Sequence, residues 1–210
     1  LLIKTVEEPT DVLWQRLNIL IDTLRNPYKK LTLSIFKMYE QKIRIMPGSV
    51  CHHYSIRGGF LKHLVTTAEM SMDILPHYPA LNKDLLLCGI LLHDIGKVEG
   101  INDDLQAGYT DAGRLIGYGA LGIGILRKAV TSFKYFPKDI LLKLEHIILS
   151  HKSGGDTGSL GDPRFPEALF VNYMDSMDGQ MNIMLNTIQN DPNKEWTDDH
   201  NHFRSELYKK

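Results

Sequence analysis

An all-α, single-domain helical bundle is the fold that this chain of 210 residues predicts, and three observations predict it. Apolar residues recur at intervals of three and four through one segment after another, the spacing of one face of a helix. No alternating strand pattern, two-residue hairpin signal or internal repeat interrupts them. The stretch Leu85-Leu86-Leu87-Cys88-Gly89-Ile90-Leu91-Leu92 is apolar throughout, which marks a helix buried on every side at the centre of the bundle.

The elements follow in order. Leu13, Leu17, Leu20, Ile21 and Leu24 set the first helix, with Thr10 or Asp11 as its cap and Asn26-Pro27 as its end. A second spans about 30–45 through Leu31, Ile35, Met38, Tyr39 and Ile43, and Pro47-Gly48 stops it. Residues 49–58 read as a loop. A third helix, about 59–75, carries His63 with Leu64, Ala68, Met72 and Leu75. The central helix, about 82–95, starts at Asn82, and its end carries His93-Asp94-Ile95-Gly96-Lys97.

After a polar loop at 100–110, Gly113, Gly117, Gly119, Gly122 and Gly124 alternate with Leu and Ile. Each glycine costs a helix about 1 kcal/mol against alanine, so this one needs close packing. Pro137 opens a helix running through Leu144, Ile147 and Ile148 to His151. The glycine-rich run 153–161 is a candidate lid. A last helix, about 166–189, carries Asp175 and Asp178. The expected division is 1–48, N-terminal helices packed on the core; 49–189, the domain with the site; and 190–210, a polar C-terminal tail.

Composition excludes several classes. The net charge of −1 provides no global basic field for nucleic acid, so any such contact must be local. Cys51 and Cys88 form neither a CxxC pair nor a zinc spacing, and a reducing, cytoplasmic setting is expected. No stretch reaches the roughly 18 apolar residues of a membrane span.

The chemistry concentrates at His93-Asp94. Neighbours on a regular helix diverge by about 100°, so the two share one target only at a helix end, where Gly96 lets the chain turn. An imidazole and a carboxylate inside an apolar segment are costly without partners. His63 and Asp175, from other helices, supply them in the way bundles usually build metal sites. This nitrogen-and-oxygen set suits one divalent ion of the Mn²⁺, Fe²⁺ or Mg²⁺ kind rather than a closed structural zinc, with Ni²⁺ or Zn²⁺ as alternatives retained on purification. The chemistry it points to is metal-assisted hydrolysis of a phosphate ester.

The pattern His63, His93-Asp94, Asp175 resembles the signature of the HD-domain metal-dependent phosphohydrolase superfamily. His52-His53, Gly58-Gly59-Phe60-Leu61-Lys62-His63, Asn82-Lys83-Asp84-Leu85-Leu86, Ile147-Ile148-Leu149-Ser150-His151, Pro166-Glu167-Ala168-Leu169 and Asp175-Ser176-Met177-Asp178 extend it. Together they are similar to the HD domain of YhaM-type 3′–5′ exoribonucleases over about 10–210. The resemblance implies an all-α HD bundle, a phosphodiesterase acting on single-stranded RNA with a metal-activated water, and an N-terminal OB-fold domain ahead of a chain that here begins with Leu.

Two departures stand out: Gly117-Tyr118 where the family carries Gly-His, and His151-Lys152 where it carries His-His. These remove ligands of a second metal, so one ion is expected, held by His63, His93, Asp94 and Asp175. Asp94, Lys97 and His151 are the candidate catalytic groups, and Arg57, Lys152 and His53 the candidate substrate contacts. Lys152 would place a fixed charge where a second cation sits elsewhere in the family. Two rival readings remain: a phosphohydrolase of nucleoside monophosphates or signalling nucleotides, and a non-catalytic module that binds a metal and RNA or nucleotide. Exposed-looking apolar N-terminal helices make a homo-oligomer possible.

Overall fold

The computed structural model describes residues 4–50, 54–102, 108–151 and 161–210. Helices α1 (Thr10–Asp22), α2 (Tyr28–Ile45), α3 (Gly59–Ile74), α4 (Lys83–Leu92), α5 (Lys97–Gly100), α6 (Asp111–Leu115), α7 (Tyr118–Val130), α8 (Lys138–Ser150) and α9 (Pro166–Asn190) follow in order, with a 3₁₀ turn at Leu75–His77. Among the described residues there is no sheet, only isolated bridges joining Thr5 to Arg57, Ile101 to Tyr109 and Trp196 to Tyr208. No described helix is long and apolar enough to cross a membrane.

The expected central helix is central. All of α4 from Asp84 to Leu92 is buried, and α2, α3, α8 and α9 surround it. Asn82 caps it, its side-chain oxygen accepting from the Leu85 N–H at 3.1 Å, which satisfies one of the amides that a helix start leaves open. Helix α1 lays Leu13, Leu17 and Ile21 against α2 and α3.

Local boundaries differ in instructive ways. Helix α1 begins after Pro9, and neither Thr10 nor Asp11 caps it by a side-chain bond. The glycine-rich segment forms two helices, because Gly117 takes φ 81° between them, a conformation closed to most side chains. Thr110 caps the first, accepting from Gly113 N–H at 2.9 Å. The segment after Asn190 is polar but folded back on itself: Trp196 pairs with Tyr208 and Thr197 is buried. The candidate lid at 153–161 lies outside the described residues apart from Gly161.

Candidate metal centre

Three helices deliver the site. Helix α3 carries His63 in its second turn, α9 carries Asp175 midway, and the turn following α4 carries His93 and Asp94. Both α3 and α9 pack on α4 and on each other. Gly96 sits in ordinary helical conformation, φ −63°, so its role is not to turn the chain. A Cβ there would lie 1.8 Å from the Tyr118 carbonyl oxygen and 2.5 Å from the Gly122 nitrogen. Glycine is required because the backbone of α7 rests directly on this turn.

His63, His93, Asp94 and Asp175 are all buried, and one donor atom from each lies within 4.8 Å of the other three. Donors around a single ion at about 2.1 Å stand at most about 4.2 Å apart, so a contraction well under an ångström brings all four to one cation. Nε2 of His63 lies 3.3 Å from Nε2 of His93 and 3.3 Å from Oδ1 of Asp175. Nε2 of His93 lies 3.5 Å from Oδ2 of Asp94.

The far side of each ring fixes which nitrogen faces inward. Nδ1 of His93 donates to the Ile90 carbonyl at 2.6 Å, and Nδ1 of His63 donates to Oδ2 of Asp178 at 2.6 Å. In the neutral rings both Nε2 atoms therefore carry lone pairs, aimed at each other and at carboxylate oxygens. Oδ1 of Asp175 is buried without a hydrogen bond. Such an arrangement is repulsive unless positive charge enters it.

The ionisation equilibria show the same demand. Burial depresses the His93 imidazole, but Asp94 and Asp175 outweigh it and raise its pKa to about 10. Burial likewise opposes protonation of His63, yet Asp175 and Asp178 raise it. Asp175 is held well below its ordinary range; burial acts against this and the two histidines prevail. A buried pair of carboxylates thus draws positive charge, and a divalent cation meets that demand as protons do. The residues present fit a metal ion.

A second layer surrounds the four. His151 is buried with Nε2 3.2 Å from Oδ1 of Asp94; its Nδ1 donates to Ile148 O at 2.8 Å, and Asn172 donates to its carbonyl at 2.7 Å. Burial lowers its pKa, with Asp94 acting against that. Lys97 does not reach outward to solvent. It is 2% exposed, pairs with Oδ2 of Asp94 at 2.5 Å and donates to the Gly48 carbonyl at 2.7 Å. Tyr118 stands beside both, 6.5 Å from the His151 ring and 5.7 Å from the Lys97 nitrogen, measured to ring centroids.

The structure therefore brings His63, His93, Asp94, Asp175, Lys97 and His151 together. Arg57 is not among them: its side chain is exposed, and its backbone pairs with Lys4 and Val6. His53 and Lys152 lie outside the described residues, as does His52. His146 is half-buried away from the cluster and accepts from the Arg164 N–H at 3.0 Å. The sequence alone does not single out Asn172, Tyr54 or the Gly48 carbonyl as parts of the site. Asn172 had one faint signal, its place one turn before Asp175 on the same helix.

The comparisons with known proteins agree with this geometry. The HD domain model matches residues 60–180. The chain is 30% identical over 183 residues to the 3′-5′ exoribonuclease YhaM of Geobacillus sp. (strain WCH70), covering 87% of this chain and 56% of that protein. It is 31% identical over 176 residues to the protein of that name from Bacillus pumilus (strain SAFR-032), covering 83% and 56%. For Bacillus subtilis (strain 168) the figures are 28% over 197 residues, 93% and 62%. The chain thus spans little more than half the length of these relatives. No solved structure matches it significantly. With the HD model covering more than half of its length, the chain belongs to the HD domain family.

Proposed function

We propose that the chain is a metal-dependent phosphohydrolase and, within that class, a 3′–5′ exoribonuclease-like phosphodiesterase. The observation that carries this is the convergence of His63, His93, Asp94 and Asp175; the name shared by the relatives supports RNA as substrate. A divalent cation held by His63, His93, Asp94 and Asp175 would supply Lewis acidity toward a phosphoryl oxygen and toward an attacking water.

The chain's own residues do the rest. His63 and His93 present Nε2 because Nδ1 is engaged behind each ring. Lys97 neutralises one oxygen of Asp94, which keeps the site from accumulating net negative charge as a phosphate approaches. His151 carries its lone pair at Nε2, beside Asp94, and can accept a proton at that atom. Tyr118, in place of a histidine, offers no imidazole beside His151, which supports a single ion. Single-stranded RNA as substrate, an OB-fold domain preceding this one, self-association and a cytoplasmic location belong to the same proposal.

The test is elemental analysis of the purified protein, paired with digestion of end-labelled single-stranded RNA with and without Mn²⁺. About one divalent ion per chain and stepwise loss of 3′ nucleotides, abolished in Asp94→Ala, are expected. Hydrolysis confined to mononucleotides replaces the RNA assignment. Metal without hydrolysis of RNA or nucleotides leaves a binding module, and protein that takes up no ion ends the reading.

A further inference from the structure

The two imidazoles of the centre are held by different means. His93, at the end of α4, is oriented by the carbonyl of Ile90, three residues earlier in the same helix end. His63 is oriented by a side chain, Asp178, more than a hundred residues away in sequence. Asp178 is buried and lies one turn beyond Asp175 on α9. That one helix face thus meets both nitrogens of the His63 ring, Asp178 at Nδ1 and Asp175 at Nε2.

The other oxygen of Asp178 is also engaged. Tyr54 donates its hydroxyl to Oδ1 at 3.0 Å; burial and the Asp178 charge keep that phenol protonated and therefore a donor. Tyr54 is fixed in turn. Its N–H donates to the side-chain oxygen of Asn182, a further turn along α9, at 2.9 Å, and its carbonyl accepts from Gly48 N–H at 2.8 Å. These bonds hold it at φ 52°, a left-handed conformation that a non-glycine residue adopts only when its surroundings impose it.

The geometry points to Asp178 as the positioning residue that makes His63 a metal donor, with Tyr54 coupling that orientation to the segment joining α2 and α3. This rests on the metal reading above. An anionic acceptor on Nδ1–H holds the proton there, leaves Nε2 as the donor atom and increases its basicity toward a cation; partners of this kind typically govern 10–100-fold of metal affinity. Tyr54 limits the rotation of the carboxylate, so displacing the segment that carries it loosens His63.

The experiment is titration of the metal-free protein with MnCl₂, read by calorimetry and by the electron paramagnetic resonance of free Mn²⁺, with thermal melts of every metal-free variant. Asp178→Ala is expected to weaken Mn²⁺ binding roughly 10–100-fold. Asp178→Asn keeps an acceptor for Nδ1–H without the charge, and so recovers part of that loss. Tyr54→Phe retains the ring and gives a smaller, several-fold loss. The downfield Nδ1 proton signal of His63, assigned by its absence from His63→Gln, should vanish in Asp178→Ala and persist in Asp178→Asn, which a purely structural role does not predict.

If Asp178→Ala does not fold, Asp178→Asn and Tyr54→Phe carry the test. Binding within twofold of wild type in Asp178→Asn and in whichever of the other two variants folds overturns the assignment, provided that His63→Gln does lose affinity. Wild-type protein that takes up no divalent ion overturns the metal reading itself, a separate and recognisable outcome.

Discussion

The ammonium of Lys97 stands 2.5 Å from Oδ2 of Asp94, one turn further along the chain, and both groups are shut away from solvent. Removing Lys97 leaves the buried Asp94 with the imidazoles of His93 and His151 beside it but without that ammonium, and breaking a buried pair typically costs about 3–5 kcal/mol. Lys97→Met keeps much of the stem and removes the charge. The metal-free variant should melt about 10 °C below the metal-free wild type. Saturating Mn²⁺ should narrow that gap, because a cation beside Asp94 supplies the missing compensation.

Metal removal should itself be visible as stability. An ion that binds only the folded chain adds about 2.7 kcal/mol at a hundred times its dissociation constant, or roughly 5–10 °C for a chain of this size. Melting with Mn²⁺ and then with excess chelator measures it directly. Asp175→Asn should melt at the same temperature in both conditions.

Two glycines predict opposite signs. Gly96→Ala would drive a methyl to 1.8 Å from the Tyr118 carbonyl oxygen, a contact with backbone that cannot swing aside, and should destabilise by about 3 kcal/mol or more. Gly124 lies on the exposed face of α7 with nothing within 4 Å of an added Cβ. Gly124→Ala should stabilise by about 0.5–1 kcal/mol. Chemical denaturation of the pair distinguishes close approach from helix propensity.

Glu8 gives a pH dependence away from the site. Hydrogen bonds from Lys62 and Arg16 hold its carboxyl below the ordinary 4.5, and Arg16 also engages Glu69 through Nε at 2.8 Å. Because the folded-state pKa is depressed, the stabilisation is complete above the unfolded value. It is lost as pH falls through the folded value. Glu8→Gln should therefore cost about 0.5–1 kcal/mol near neutrality, with the difference from wild type vanishing in strong acid. A difference that persists or grows on acidification contradicts this.

The four metal-ligand candidates were legible because polar side chains in an apolar helix need partners, and His63 and Asp175 had the right chemistry. The burial of α4 was legible from its unbroken apolar run. Lys97 was legible as a candidate but its burial was not, since a lysine at a helix start ordinarily faces water, and the groups that hold it inside include the carbonyl of Gly48, far away in sequence. Gly96 was placed correctly as necessary but for the wrong cause; the demand comes from α7, which local periodicity cannot reveal. Asp178 and Tyr54 meet across 124 positions, a pairing that exists only in the folded chain. The glycines after Arg57 let α3 start against α1 and α2, and the exposed Arg57 side chain keeps its place as a candidate substrate contact.

The order in which the donors occur along the chain has a consequence for synthesis. His63, His93 and Asp94 emerge from the ribosome early, while Asp175 and Asp178 arrive only with α9, the last helix of the bundle. Until α9 docks, the half-made centre lacks one carboxylate and the group that aims His63, so a nascent or truncated chain cannot hold the ion in the finished geometry. Under the proposed metal reading, such a site would act as an integrity check, because the donor set is complete only when α9 is in place.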